Sequence, residues 1–215
     1  MIVDVIDNTN GKFKILVKEN DGKFSIHIEE PEQKIRLSAL RAGDIFKGKN
    51  GNEYIVCEQF LSGTVLSCTA VVKKDVIDKT MAFGKDNNWA NSEWRKYLNS
   101  EYYQEISDEF GKENINEHEV DLTSLDGYDD YGAVRDKVSA MTIDRYQRYH
   151  KYIGNVPEWN LLSTPDSTPS GYGASGVRCV SDDGGVDYAG CRDVGALRPF
   201  FILNSNLQVQ KVNEK

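Results

Sequence analysis

WANSEWRKYLN, residues 89–99, reads as the entrance to a helix. Asn91-Ser92 is the small polar pair expected at an N-cap, where a side-chain oxygen accepts a bond from a free backbone N–H. Trp94, Tyr97, Leu98, Tyr102 and Ile106 then recur at spacings of three and four, which places them on one face. A stripe with that much aromatic surface must lie on something apolar. Apolar runs that also need burial lie on both sides in sequence, YIVC (54–57) upstream and FFIL (200–203) downstream. A second helix is predicted from Thr142 as N-cap, with Ile143, Tyr146 and His150 along one side. Helices embedded between strand segments give an α+β class.

Working outward toward the N-terminus, residues 37–72 form a β region. If Ser62-Gly63 is a two-residue hairpin loop, Leu61 pairs with Thr64 and Cys57 faces Cys68. With no secretory signal in view, two reduced thiols are expected there rather than a disulfide. Residues 1–38 read as a β-meander, IVDVI (2–6), KFKILVK (12–18) and KFSIHIE (23–29), with turn signals Asn10-Gly11 and Asp21-Gly22. Phe13, Ile15 and Val17 share one face, as do Phe24 and Ile26. A sheet this small needs cover, from the main domain or from a second subunit in a homo-oligomer. The expected organisation is an extension at 1–38, a main domain at 39–209 and a tail at 210–215. Toward the C-terminus, residues 154–197 hold 8 glycines and three of the five prolines, so loops tied by short strands are predicted.

The chain has 215 residues and a net charge of −8, and the acid is local. Residues 101–136 carry 12 acidic side chains against Lys112 and Arg135. This block reads as a solvated acidic helix and loop. No basic stripe offsets it, so nucleic acid is not an expected partner. The longest uncharged run, Gln59 to Val72, is shorter than the ~18 residues a membrane span requires. MIVDVIDN lacks a basic, signal-like start, so cytoplasmic synthesis is expected, with virion or surface association afterwards.

Catalytic patterns are sparse. His27, His118 and His150 have no neighbours at metal-ligand spacing. The Asp-Gly stretches 126–130 and 182–187 depart from the EF-hand pattern and read as turns. The chain has no G-x-S-x-G elbow or phosphate-binding G-x-x-x-x-G-K-[ST] loop. Gly171, Gly173 and Gly176 lack the strand-to-helix setting of a dinucleotide loop. Cys179 and Cys191 are the nucleophile candidates, and no histidine follows residue 150 to serve as their base. No metal, no cofactor and no catalysis are expected.

Four strings in one order carry a resemblance: WANSEWRKYLN (89–99), DKVSAMTIDRYQRY (136–149), LLSTP (161–165) and ALRPFFIL (196–203). They resemble the W-x-N-S-x-x-R-x-W-L-N, D-K-[VI]-F-L-L-S, W-W-L-R-[ST]-P and G-V-R-P-A landmarks of an uncharacterised bacterial and phage domain family. That family is similar to C-type-lectin-like proteins, the fold also used by formylglycine-generating enzymes and by the variable proteins of diversity-generating retroelements. The likeness covers roughly residues 40–208. Trp89, Arg95, Leu98, Leu162, Thr164, Pro165, Arg198 and Pro199 match. Tyr97, Asn160, Leu161, Ser163, Ala196 and Leu197 depart, and Ser163 removes an arginine whose polar network must be rebuilt or absent. The resemblance implies a C-type-lectin-like domain with a β-rich N-terminal extension.

Composition adds a separate clue. Residues 166–197 contain no Lys, Glu, Gln, Met or Trp, although these make up 44 of the other 183 residues, a rate that would place about eight in the gap. They are the five amino acids that no codon ending in C or T encodes, so adenine-directed mutagenesis of AAC or AAT codons cannot reach them. Retroelement diversification leaves that mark. The expected ligand-binding residues are Asp166, Ser167, Thr168, Ser170, Tyr172, Ser175, Arg178, Asp182, Asp187, Tyr188, Arg192 and Asp193. Aromatic and guanidinium anchors among small polar residues are the composition of adaptable binding loops. The expected ligand is a protein or a surface glycan. Two alternatives stand beside this reading: a formylglycine-generating-like oxidase using Cys179 or Cys191, and a structural virion or assembly module. Trp94, Leu98, Val138, Leu162, Phe200 and Ile202 are expected to share one core, and Ser167, Thr168, Ser170, Tyr172, Arg178, Asp187, Tyr188 and Arg192 to be exposed on one side.

Overall fold

The structure is a computed structural model that describes residues 14–20, 23–29 and 34–212. The chain divides into two compact units, residues 1–34 and 35–215. In the first, β1 (Lys14–Asn20) and β2 (Lys23–Glu29) form an antiparallel hairpin. Val17 pairs with Ile26 and Ile15 with Ile28. The IVDVI strand, Phe13 and both turn signals lie outside the described residues.

The second unit is a mixed helix-and-sheet, α+β structure. Its strands are β3 (Lys34–Arg36), β4 (Ile45–Lys47), β5 (Glu53–Ser62), β6 (Val65–Lys73), β7 (Met81–Ala82), β8 (Ile115–Asn116), β9 (His118–Asp121), β10 (Ala133–Asp136) and β11 (Val138–Ser139). They continue with β12 (Asn160–Pro165), β13 (Gly176–Val180), β14 (Val186–Gly190), β15 (Val194–Gly195), β16 (Phe200–Asn204) and β17 (Gln208–Lys211). The helices are α1 (Glu93–Leu98), α2 (Glu101–Phe110) and α3 (Ile143–Ile153). The main sheet runs β11-β16-β6-β5-β4-β17-β3, with β8 also on β16, and β12-β13-β14 form a smaller sheet. Leu37 is fully buried in the second unit, and Gln210 and Lys211 pair with Lys47 and Phe46. The main domain therefore begins before residue 39 and takes up the start of the expected tail.

Side-chain alternation gives the main sheet two buried faces. Tyr54, Val56, Val71, Phe201 and Leu203 point into a core with Trp89, Trp94, Leu98, Val138 and Ile106. Ile55, Cys57, Ala70, Val72 and Phe200 point into a second core with Leu162 and the α3 residues Ile143, Tyr146, Tyr149 and Ile153. Of the six expected core residues, Trp94, Leu98, Val138, Leu162 and Phe200 are buried and Ile202 is partly buried. They occupy two cores, not one, because consecutive residues of a strand face opposite ways.

Four local expectations need correction. The predicted single helix is two, because Asn99 leaves the helical path to bind β11. Its Nδ2 donates to Val138 O at 2.8 Å, and its Oδ1 accepts from Lys137 N and Val138 N at 3.0 and 3.2 Å. The buried stripe of α3 uses Tyr149, and His150 is exposed. The β5–β6 hairpin closes one residue later, Ser62 opposite Val65, and irregularities at Val56/Glu58 and Phe60/Leu61 put Phe60 opposite Cys68. Cys57 and Cys68 therefore do not face each other, and both are free thiols. In the acidic block, Glu109 and Asp136 are buried rather than solvated; Glu109 accepts from Tyr54 Oη at 2.6 Å.

The four quoted strings meet in space through polar joints. Ser92 caps α1 by accepting from Arg95 N at 3.0 Å. Asp136 accepts from Trp89 Nε1 and from Arg95 Nε, each at 2.8 Å. Thr164 Oγ1 accepts from Ile143 N at 2.8 Å, and Leu161 N donates to Ala196 O at 3.0 Å. Arg198 donates to Lys73 O, Lys74 O, Ile153 O and Gly154 O, tying the end of β6 to the C-terminus of α3. Ser163, which replaces the expected arginine, is fully buried, and its N–H donates to Met141 O at 2.9 Å.

Candidate functional site

The 166–193 segment is built on β13 and β14, whose register sets Arg178 opposite Tyr188, and Cys179 opposite Asp187. Opposed residues share a face and successive residues alternate, so Arg178 and Tyr188 project from one side and Asp187 from the other. Ser170, Tyr172, Ser175, Asp182, Asp187, Tyr188, Arg192 and Asp193 are exposed, Tyr172 almost completely at 97%. Asp166 and Arg178 are half-buried and joined by an ion pair of 2.8 Å.

Ser167 and Thr168 were expected on the surface and are buried. A strap fixes them. Asn87 Nδ2 donates to Ser167 O at 2.8 Å and Gly176 O at 2.7 Å, and Asn87 N to Ala174 O at 3.1 Å. Ser167 Oγ donates to Asp126 Oδ2 at 2.6 Å and accepts from Tyr172 N at 2.7 Å, while Ser170 N donates to Asp130 Oδ2 at 2.9 Å. Bonds from Ser124 and Ser167 hold the Asp126 carboxyl below its ordinary range, and bonds led by the Ser170 backbone do the same for Asp130. Part of the acidic block thus anchors the loop.

Next to the strap is a cleft of about 500 Å³. Trp159 and Tyr188 supply aromatic surface, Asp182, Asp187 and Asp193 carboxylates, and Cys179 and Ser181 part of the lining. Two glycines let the rings come close to the backbone. A Cβ on Gly195 would lie 2.6 Å from the Trp159 ring, and one on Gly176 would lie 2.1 Å from the Tyr188 ring, so neither position tolerates a side chain without moving an aromatic. The expected site residues Asp182, Asp187, Tyr188 and Asp193 are brought together here. Ser170 and Tyr172 belong to the strapped loop instead. Trp159 and Pro157 precede the 166–193 segment and were missed; a tryptophan two residues after a proline, at the start of the glycine-rich stretch, was the available signal.

Comparison with family models, curated proteins and solved structures finds no match for this chain. The site is therefore judged on its own chemistry.

Burial raises the Cys179 thiol above its usual range, with Asp187 adding to the effect, and burial likewise raises Cys191. Both side chains pack into the first core. Burial lowers His118 to about 3, and its Nε2 lies 2.9 Å from Ser139 Oγ. A raised thiol pKa keeps the protonated, poorly nucleophilic form to higher pH. Alkylation of Cys179 and Cys191 in the folded protein is accordingly expected to stay slow through pH 8.5, about the midpoint of an unperturbed thiol, and to accelerate only above it; a rate profile with its midpoint below neutrality would contradict this. Among the described residues, no helix is long and apolar enough to cross a membrane.

Proposed function

We propose that the chain is a ligand-binding display protein, C-type-lectin-like in fold and encoded by a phage or bacterium, whose retroelement-diversified loops between residues 166 and 193 recognise a variable protein or surface glycan without catalysis. The observation that carries this reading is the cleft of about 500 Å³, which is within the size range of ligand sites and is formed largely by the segment that lacks Lys, Glu, Gln, Met and Trp. The division of labour around it adds support. Exposed loop residues crowd the cleft and its surroundings, whereas Arg95, Asp136, Thr164 and Arg198 tie the framework together away from it. A surface that accepts many sequences requires a framework of that kind. The raised pKa values of Cys179 and Cys191 favour binding over the oxidase alternative.

The burial of Ser167 and Thr168 narrows the variable surface. Replacing Ser170, Tyr172, Asp187, Tyr188 and Arg192 together with alanine is expected to lower the melting temperature by only a few degrees, because exposed substitutions typically cost within about 0.5 kcal/mol each. Leu162→Ala or Phe200→Ala alone should cost about 2–5 kcal/mol. Thermal melts of the three variants, paired with selection of the wild type and the five-fold variant against candidate surface ligands, test the reading. A five-fold variant that unfolds while both core variants survive would make the loops structural and end it.

A further inference from the structure

The cleft is walled by Trp159 and Tyr188 and edged by Asp182, Asp187 and Asp193, and neither lysine nor arginine lines it. We propose that it receives a cationic side chain, lysine or arginine, presented by a protein target; this rests on the ligand-binding reading above and names the ligand class. Each carboxylate spends one oxygen on a nearby backbone N–H. Asp182 Oδ1 accepts from Asp183 N at 2.9 Å, Asp187 Oδ1 from Tyr188 N at 2.8 Å, and Asp193 Oδ2 from Gly190 N at 2.8 Å. Those bonds hold the carboxylates in place and leave Asp182 Oδ2, Asp187 Oδ2 and Asp193 Oδ1 without a hydrogen-bond donor among the described residues. Among the described residues none of the three acids is in an ion pair, although Asp166 in the same segment is paired with Arg178. Three uncompensated carboxylates around one cavity select a cation.

The aromatic walls select the shape. Trp159 is 37% and Tyr188 52% exposed, unusual for rings that are also wedged against glycine backbone. Rings held in this way offer free π surface with little ordering cost on binding, and a cation over tryptophan or tyrosine is attracted by the ring quadrupole. Lysine and arginine combine an apolar stem, suited to the rings, with a charged head, suited to the carboxylates. A neutral sugar would use the rings but leave the three charges unmatched, which is why the cationic class is favoured over a glycan.

The test uses the full chain and four probes: hexalysine, hexaarginine, hexaglutamate and the neutral sugar maltohexaose. Trp89 and Trp94 are fully buried, so a probe-dependent change in tryptophan fluorescence reports on Trp159, and calorimetry supplies the affinity. A cationic peptide is expected to bind, less tightly as salt rises. Trp159→Ala, Gly195→Ala and the triple variant Asp182→Asn/Asp187→Asn/Asp193→Asn should each weaken it at least tenfold. Glu105→Gln/Glu113→Gln/Asp129→Asn removes the same charge from exposed positions elsewhere and should change affinity less than twofold. Equal losses in the two triple variants would reduce the effect to overall charge and overturn the proposal, as would failure of both cationic peptides to bind. Binding of maltohexaose alone, dependent on Trp159, would overturn the cationic class while leaving the ligand-binding reading standing.

Discussion

Replacing Arg198 with alanine is expected to destabilise the second unit by about 3–5 kcal/mol. The guanidinium is buried and donates to four backbone carbonyls, at 3.2 Å to Lys73 O, 2.7 Å to Lys74 O, 3.1 Å to Ile153 O and 2.9 Å to Gly154 O. Truncation removes these bonds, opens a cavity and takes a positive charge from the C-terminal end of α3, where the helix dipole favours one. Arg198→Lys keeps the charge but replaces a planar five-donor fork with a three-donor point charge. It should recover only part of the loss. Chemical denaturation of the three proteins decides this, and a lysine variant as stable as wild type would show that charge alone matters.

Asp136 is the second large effect. It is buried, and its two oxygens accept from Trp89 Nε1 and Arg95 Nε. Asp136→Ala leaves the indole N–H without a partner and deprives Arg95 of its counter-charge. Because the Arg95 side chain keeps 29% exposure, water can recover part of that loss, and the expected cost is about 3 kcal/mol. For a domain of this size that lowers the melting temperature by roughly 6–12 °C. The double variant Trp89→Phe/Asp136→Ala should fall short of the sum of the singles, because the shared bond can be lost only once.

Both predictions concern residues that lie within the quoted strings but whose buried partners are not visible in the sequence. Ser92 as the cap of α1 and Thr142 as the cap of α3 were legible because capping is a local bond over three residues. The apolar runs YIVC and FFIL were legible as segments that must be buried, and a run without alternation is itself the mark of a strand buried on both faces; placing all six expected residues in one core overlooked that. The break at Asn99 was not legible, since its cause is a set of bonds to residues nearly forty positions away. The same holds for the strap: nothing local to Ser167 and Thr168 distinguishes them from Ser170 and Ser175, and only Asn87 and Asp126, distant in sequence, draw the Ser167 end inward. The cleft was legible in part. Tyr188 and the three aspartates lie within the compositional gap, whereas Trp159 lies outside it and joins through the fold.

The central claim, that an exposed and diversified loop surface is carried on a framework independent of it, is tested most directly by sequencing the coding segment for residues 160–198 across natural isolates. Substitutions are predicted to cluster at adenines in the codons for exposed positions such as 170, 172, 182, 187, 188 and 192, with the codons for Thr164, Ser167, Thr168 and Arg198 unchanged. A segment that does not vary, or one that varies equally at buried and exposed positions, would contradict the account.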